Sequence, residues 1–418
     1  MAHTLTRAGE TNARFSHAVR PIMKIHPSFA NIGLSKIVQV SERARVLAPE
    51  FEKRTGTPFI YFQRGEVGYP VPAFMGDALR EAVEKGLTKY PKAGGEGFYK
   101  HAVLKDLEHR GISGLGQEHI VAAAGGQEGL ELVFAFMRGR TCAGFTPCWS
   151  CMFDNIFPYT ETTFIQVPLR AELGWSIDFA ALEATLPLVD TFYFNSPHNP
   201  TGRVFTRADI ERVCGLCAKY GVLMVCDEAY KDLAFSGEHY SPLQDERNQN
   251  LVVINTFSKG MAATGFRVGY IASRRTDLID FLTRGEYSQT AGVPTPIQYA
   301  CAKALEHPKL AEWMKGYRAE MKARAVALAD NLDPRLGAHA PEGAFYCFIN
   351  LAPPGLGEAA LTAHETSVVE RLLSAGIAVV PGSAFGKSFA GYVRLSFSTL
   401  EPAVIAQGAR RFNTVVLG

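Results

Sequence analysis

Residues 119–139 read HIVAAAGGQEGLELVFAFMRG. A short apolar run, HIVAAA, stops at Gly125-Gly126-Gln127, and a longer helix-like stretch opens directly after it. A strand that passes through glycines into a helix is the opening of a β–α–β unit. Working outward, the same alternation continues through TCAGF, TTFIQVPL, TFYFN, VLMVC, LVVINTF and VGYIAS, up to about residue 272. Between TFYFN and VLMVC lies TRADIERVCGLCAKYG, where Thr206 suits an N-cap and Gly221 a stop. Strand-like runs alternating with helices predict an α/β fold: a mostly parallel, doubly wound, seven-stranded sheet covered on both faces.

The C-terminal part has another rhythm. The helical stretch 301–332 is long enough to leave one domain and enter another, and the strand-like FYCFINL, AVVPG and YVRLSFS follow it. The expected organisation is an N-terminal arm over residues 1–30, a large domain over 75–305, and a smaller α+β domain built from 31–74 and 306–418. The first 20 residues carry no apolar core of a secretory signal. No apolar run reaches the roughly 18 residues a membrane helix needs. With 43 Lys and Arg against 41 Asp and Glu, the chain has no basic footprint for nucleic acid. A cytoplasmic protein is expected.

Eight cysteines in 418 residues do not form a disulfide framework. Two pairs, Cys148-x-x-Cys151 and Cys214-x-x-Cys217, have zinc-like spacing but would have to converge across about 60 residues. Ile210, Val213, Cys214 and Cys217 share one helical face, which reads as core, so no metal is expected.

In doubly wound sheets ligands collect at the carboxyl ends of strands. Four polar clusters fall there: Gly125-Gly126-Gln127, Ser196-Pro197-His198-Asn199-Pro200-Thr201-Gly202, Asp227-Glu228-Ala229-Tyr230, and Thr256-Phe257-Ser258-Lys259 with Arg267 beyond. They supply an anion cradle at a helix start, an amide, a carboxylate with a phenol, and an amine. That set is what pyridoxal phosphate requires: a lysine for the Schiff base, a carboxylate for the ring nitrogen, and a helix start with an arginine for the phosphate. Two nucleotide readings fail. Gly382-Ser-Ala-Phe-Gly386-Lys387-Ser388 is one residue short of a P-loop and runs into a strand-like segment, and GGQEG lacks the dinucleotide spacing.

The motifs Asn199-Pro200-Thr201-Gly202, Asp227-Glu228-Ala229-Tyr230, Ser258-Lys259-x5-Gly265-x-Arg267-x-Gly269, Pro341-Glu342-Gly343-Ala344-Phe345-Tyr346 and Tyr392-Val393-Arg394-Leu395-Ser396 together resemble the class I and II aminotransferases, the fold-type I pyridoxal-phosphate enzymes. The resemblance runs from about residue 30 to 415. It implies Lys259 as Schiff-base lysine and proton shuttle, Asp227 against the pyridinium nitrogen, and Asn199 and Tyr230 on the ring's phenolic oxygen. It further implies Gly126, Gln127, Thr256, Ser258 and Arg267 on the phosphate and Trp149 stacked on the ring. Arg394 would clamp the substrate α-carboxylate, with Gly65 nearby, and Tyr90 would reach the phosphate of the neighbouring subunit. The implied protein is a homodimer with shared active sites that moves an amino group between an L-amino acid and a 2-oxo acid by a ping-pong route.

The same framework also serves lyases, cyclases and β- or γ-replacement enzymes such as aminocyclopropanecarboxylate synthase-like proteins. Glu66-Val67-Gly68-Tyr69 departs from the Glu-Pro-Asp-Phe of many relatives, and Arg64 and Tyr69 are candidates to face the pocket. No second arginine for a side-chain carboxylate is evident. A regulator with an aminotransferase-like sensor would carry a DNA-binding module ahead of the fold; about 30 residues precede it here, so an enzyme is expected.

Overall fold

The computed structural model describes residues 25–418. The expected arm therefore lies outside the described residues up to position 24; of its remainder, Pro27–Ala30 forms one helical turn. Counting strands along the chain, β1 (Ile60–Tyr61) comes first. Seven strands then make the main sheet: β2 (Ile120–Ala123), β3 (Thr141–Thr146), β4 (Thr163–Pro168), β5 (Thr191–Asn195), β6 (Leu223–Asp227), β7 (Leu251–Thr256) and β8 (Gly269–Ala272). Their order is β2-β8-β7-β6-β5-β3-β4, parallel except that β8 runs against both neighbours. This is the expected mostly parallel α/β fold.

The apolar runs are continuous because both faces are covered, and the strand period of two sorts them. Phe192, Phe194, Met224, Cys226, Leu251 and Val253 join one core cluster. Tyr193, Leu223, Val225, Val252 and Ile254 join the cluster on the opposite face. The zinc-like pairs separate in the same way: Cys214 and Cys217 lie in the first cluster, Cys148 and Cys151 in the second. The sheet stands between them, and among the described residues no metal-binding group forms. Burial pushes the thiols of Cys151 and Cys214 up to about 12, as expected of core filler.

Downstream come β9 (Tyr346–Asn350), β10 (Ile377–Ala378), β11 (Val380–Pro381) and β12 (Tyr392–Ser396). β12 pairs antiparallel with β9 and β11, and β10 pairs parallel with β1. With the helices Lys36–Thr55, Leu310–Ala329, Glu358–Ser374 and Pro402–Leu417, the strands β1, β9, β10 and β12 enclose a third apolar cluster. The single long helix expected over 301–332 is two: Thr295–Leu305 and Leu310–Ala329. Pro308 lies in the break, where its ring and missing N–H cannot continue a helix. Among the described residues no helix is long and apolar enough to cross a membrane.

Gly202 helps tie the third cluster to the main sheet. Gly202 has φ of +75°, and a Cβ there would come within 2.6 Å of the Tyr346 carbonyl oxygen. Only glycine fits such a turn pressed against backbone. Its carbonyl accepts the N–H of Glu342 and of Gly343 at 2.9 Å each, while Glu342 takes the Val204 N–H at 2.9 Å and pairs with Arg203. The Asn199 loop is thereby docked against the start of β9.

Candidate active site

The register of three adjacent strands builds the floor of the site. Asn195 pairs with Asp227 across β5 and β6, and Asp227 with Ile254 across β6 and β7. Asn195 shares the parity of Tyr193, Asp227 that of Val225, and Thr256 that of Ile254. All three polar residues therefore leave the sheet on one face, at its carboxyl edge. A cavity of about 290 Å³ opens there. Its lining includes the helix start at Gly126 and Gln127, Trp149, Asn199, Tyr230, Ser258, Lys259 and Arg267, together with Gly65 and Arg394 from the segments around the third cluster.

Lys259 sits in the helical turn Phe257–Gly260 that follows β7. Its Nζ donates to the Gly65 carbonyl at 2.6 Å, and its own carbonyl accepts from the Tyr317 hydroxyl at 2.8 Å. Removal from bulk water lowers its pKa to about 8, helped by the nearby cations Arg394 and Arg267 and opposed by Glu66 and Asp227. Asp227 accepts the Ala229 N–H at 2.9 Å. Burial raises its carboxyl to about 6, with Glu228 adding to the rise and the Ala229 N–H and Lys259 opposing it. The acid has been drawn up and the base drawn down toward neutrality, so Lys259 is close to a proton-transfer range while Asp227 is still ionised at pH 7.

Arg394 projects from β12 and is 1% exposed. Nη1 donates to Asn199 Oδ1 and Nη2 to the Gln63 carbonyl, each at 3.1 Å, while Nε has no partner. The guanidinium lies over the rings of Tyr346 at 4.2 Å and Phe385 at 5.0 Å. Among the described residues no carboxylate pairs with it, so a buried cation stands ready for an anion, and burial holds its pKa below the ordinary arginine value. Tyr230, also buried, has its hydroxyl 2.9 Å from that of Tyr346.

The opposite end of the cavity is an anion cradle. The helix Gly126–Phe136 begins after Gly125, whose φ is +87°, and the N–H groups of a first turn have no partner within their helix. Arg267 leans over this start, its Nη2 donating to the Ala124 carbonyl at 3.3 Å and Nη1 to that of Thr264 at 3.2 Å. A Cβ on Gly125 would lie 2.9 Å from that Nη2. The hydroxyls of Thr256 and Ser258 are 2.8 Å apart beside it. Gln127 lines the mouth, but its amide turns outward to Glu131 at 3.1 Å.

Tyr90 is 91% exposed and does not line this cavity. Arg64 and Tyr69 are also outside it. Arg64 lies over the Tyr61 ring at 4.2 Å, and Tyr69 packs on Trp313 and Tyr317. Sequence reasoning overlooked Ile37, Asn195, Ala229, Thr264 and the inward side of Tyr346 as lining residues. Asn195 had a readable signal, since it ends an apolar strand run as Asp227 does. The others depend on chain segments that meet only in three dimensions.

The profile of the family "Aminotransferase class I and II" matches residues 59–412. The chain is similar to an aspartate/prephenate aminotransferase of Thermus thermophilus, 29% identical over 378 residues, which span 88% of this chain and 95% of that protein. It is similar also to an arginine–pyruvate transaminase of Pseudomonas aeruginosa, 28% identical over 81% of this chain and 86% of that one. Among solved structures, an aspartate aminotransferase from Thermus thermophilus with maleate superposes with a TM-score of 0.83 at 25% identity, covering 94% of this chain and 99% of the other.

Proposed function

The chain belongs to the class I and II aminotransferases and is an aminotransferase; we propose that it works with pyridoxal 5'-phosphate, carrying an amino group between an L-amino acid and a 2-oxo acid. The observation that carries this reading is that Lys259, an amine lowered to about 8, lines one cavity with the buried carboxylate of Asp227 and the cation of Arg394, which no carboxylate pairs among the described residues. The cofactor suits the groups present. The cradle at Gly125–Gly126 and Arg267 matches a phosphate, the Asn195 Oδ1 atom is buried without a partner, and Lys259 is the nucleophilic amine. Once bound, pyridoxal phosphate supplies an electron sink for bonds at the substrate's α-carbon.

In this reading Lys259 holds the cofactor and, when released, takes and returns the α-proton at Nζ; a pKa near 8 suits both directions. Asp227 stays ionised against the ring nitrogen, and Asn199 and Tyr230 bear on the ring's phenolic oxygen. Trp149 would flank the ring, and Thr256, Ser258, Gly126 and Gln127 would join Arg267 in holding the phosphate. Arg394 orients the α-carboxylate, with Gly65 beside it. The exposed Tyr90 fits a homodimer in which each subunit reaches the other's site. Residues 31–74 and 306–418 form the smaller domain, and the protein works in the cytoplasm. The relatives reported above are named as aminotransferases, which favours transamination over a lyase or replacement reaction.

The test is a visible absorption spectrum of the protein given pyridoxal phosphate, followed by single amino acids without any 2-oxo acid. A yellow protein that bleaches with release of one equivalent of 2-oxo acid per site supports the proposal. A protein that stays colourless refutes the cofactor, and colour that persists while substrate keeps disappearing refutes transamination.

A further inference from the structure

Tyr346 touches both ends of the substrate-facing wall. Its hydroxyl lies 2.9 Å from that of Tyr230, and its ring lies under the Arg394 guanidinium at 4.2 Å. It is 1% exposed, and its backbone is held where Gly202 presses against the carbonyl. We propose that Tyr346 is a positioning residue that serves two groups at once: its ring sets the plane of Arg394, and its hydroxyl fixes the direction of the Tyr230 proton. The inference rests on the cofactor reading above and adds a residue to it.

The hydrogen-bond arithmetic gives the direction. A phenol has one proton to donate and two lone pairs to accept with. Among the described residues each of the two hydroxyls has only the other as partner, so either could donate; once Tyr230 gives its proton to the cofactor's phenolic oxygen, as in the reading above, the proton of the contact has to come from Tyr346. Tyr230 is then free to aim its own proton into the cavity that it lines. Donation from Tyr346 polarises the Tyr230 hydroxyl and makes it a stronger donor to an oxygen placed there. Gly65 leaves just the room this requires, since a Cβ at that position would stand 3.3 Å from the Tyr346 hydroxyl.

The ring does the second task. Nη1 and Nη2 of Arg394 are held by Asn199 and Gln63, and its Cζ lies over the ring of Tyr346, 4.2 Å from the centroid. The ring so placed resists tilting of the guanidinium and keeps the unpartnered Nε edge for a carboxylate.

Two variants separate the tasks. Tyr346→Phe keeps the ring and removes the hydroxyl, while Tyr346→Leu removes both; thermal midpoints check that each folds. The first readout is the pH midpoint of the visible absorption of protein loaded with pyridoxal phosphate. A weaker donor at Tyr230 leaves the cofactor's phenolic oxygen more basic, so Tyr346→Phe should raise that midpoint by about half a unit. The second readout needs no cofactor: propionate binding to the unloaded protein by ligand-observed NMR. Tyr346→Phe should keep the propionate Kd within about twofold, and Tyr346→Leu should weaken it about five- to tenfold.

An unmoved midpoint in a normally coloured Tyr346→Phe protein overturns the hydroxyl task. Equal propionate binding in Tyr346→Leu and wild type overturns the ring task. If wild type takes up no cofactor, the functional reading fails separately and the hydroxyl task falls with it, while the propionate arm still decides the ring's task.

Discussion

The lowered pKa of Lys259 can be tested before any substrate is known, through the rate at which the unloaded protein captures added pyridoxal phosphate. Capture needs the neutral amine. At an ordinary pKa of 10.5 about one amine in three thousand is neutral at pH 7, whereas at about 8 it is about one in ten. The structure therefore predicts capture at neutral pH faster by about 300-fold than for an unperturbed lysine in the same place. The assay is stopped-flow absorbance from pH 6.5 to 10. The rate should climb about tenfold per unit and level off near pH 8. Arg394→Met removes the cation that contributes most to the lowering and should move the plateau upward by about one unit. A wild-type rate still climbing tenfold per unit between pH 8.5 and 10 would refute the perturbed amine. A plateau unmoved by Arg394→Met would refute the part assigned to Arg394.

Three further outcomes are expected. Lys259→Met should abolish turnover yet stabilise the unloaded protein at pH 7 by about 1–2 kcal/mol, after allowing for the lost bond to Gly65. The sign follows from a pKa lowered on folding. The lysine's cost is full below about 8 and vanishes above 10.5, so the variant's advantage in urea denaturation should disappear at high pH. Behind the site, Lys231 donates to Asp106 at 3.0 Å and to the Tyr270 hydroxyl at 2.9 Å, while Arg110 bridges Asp106 and Asp232. Asp106→Ala takes from the buried Lys231 its ion-pair partner and should cost about 3 kcal/mol in the same assay. Those cations hold the Asp106 carboxyl below its ordinary range, so its stabilisation is present above about pH 4 and is lost as pH falls through the lowered value. Gly125→Ala forces a side chain to φ of +87° and against Arg267, so calorimetry should show affinity for pyridoxal phosphate falling more than tenfold, with affinity for phosphate-free pyridoxal nearly unchanged.

The sheet was legible because its strands are buried on both faces and so write themselves as unbroken apolar runs between helices. The same runs made the strand-end residues stand out, since Asp227 and Thr256 end apolar stretches with polar groups. What escaped reading depends on distance along the chain. Tyr346 meets Tyr230 across 116 positions and Arg394 meets Asn199 across 195, and no local period encodes either contact. Arg64 and Tyr69 illustrate the converse: next to a site residue in sequence, they find aromatic partners outside the cavity. The helix drawn through Pro308 failed for a local reason, because its apolar spacing outweighed one residue that cannot donate a hydrogen bond.

The shared parity of Asn195, Asp227 and Thr256 has a consequence for how this site tolerates genetic change. A strand has only two sides, so losing or gaining one residue within β5, β6 or β7 would not shift a functional group by an ångström but send it through the sheet to the far face. Substitutions erode such a site by degrees, whereas single-codon deletions switch it off. In a deep mutational library, the strands would show a comb of tolerated replacements broken by complete intolerance to length. That contrast in indel sensitivity, rather than residue identity, is the fingerprint of a site built by register.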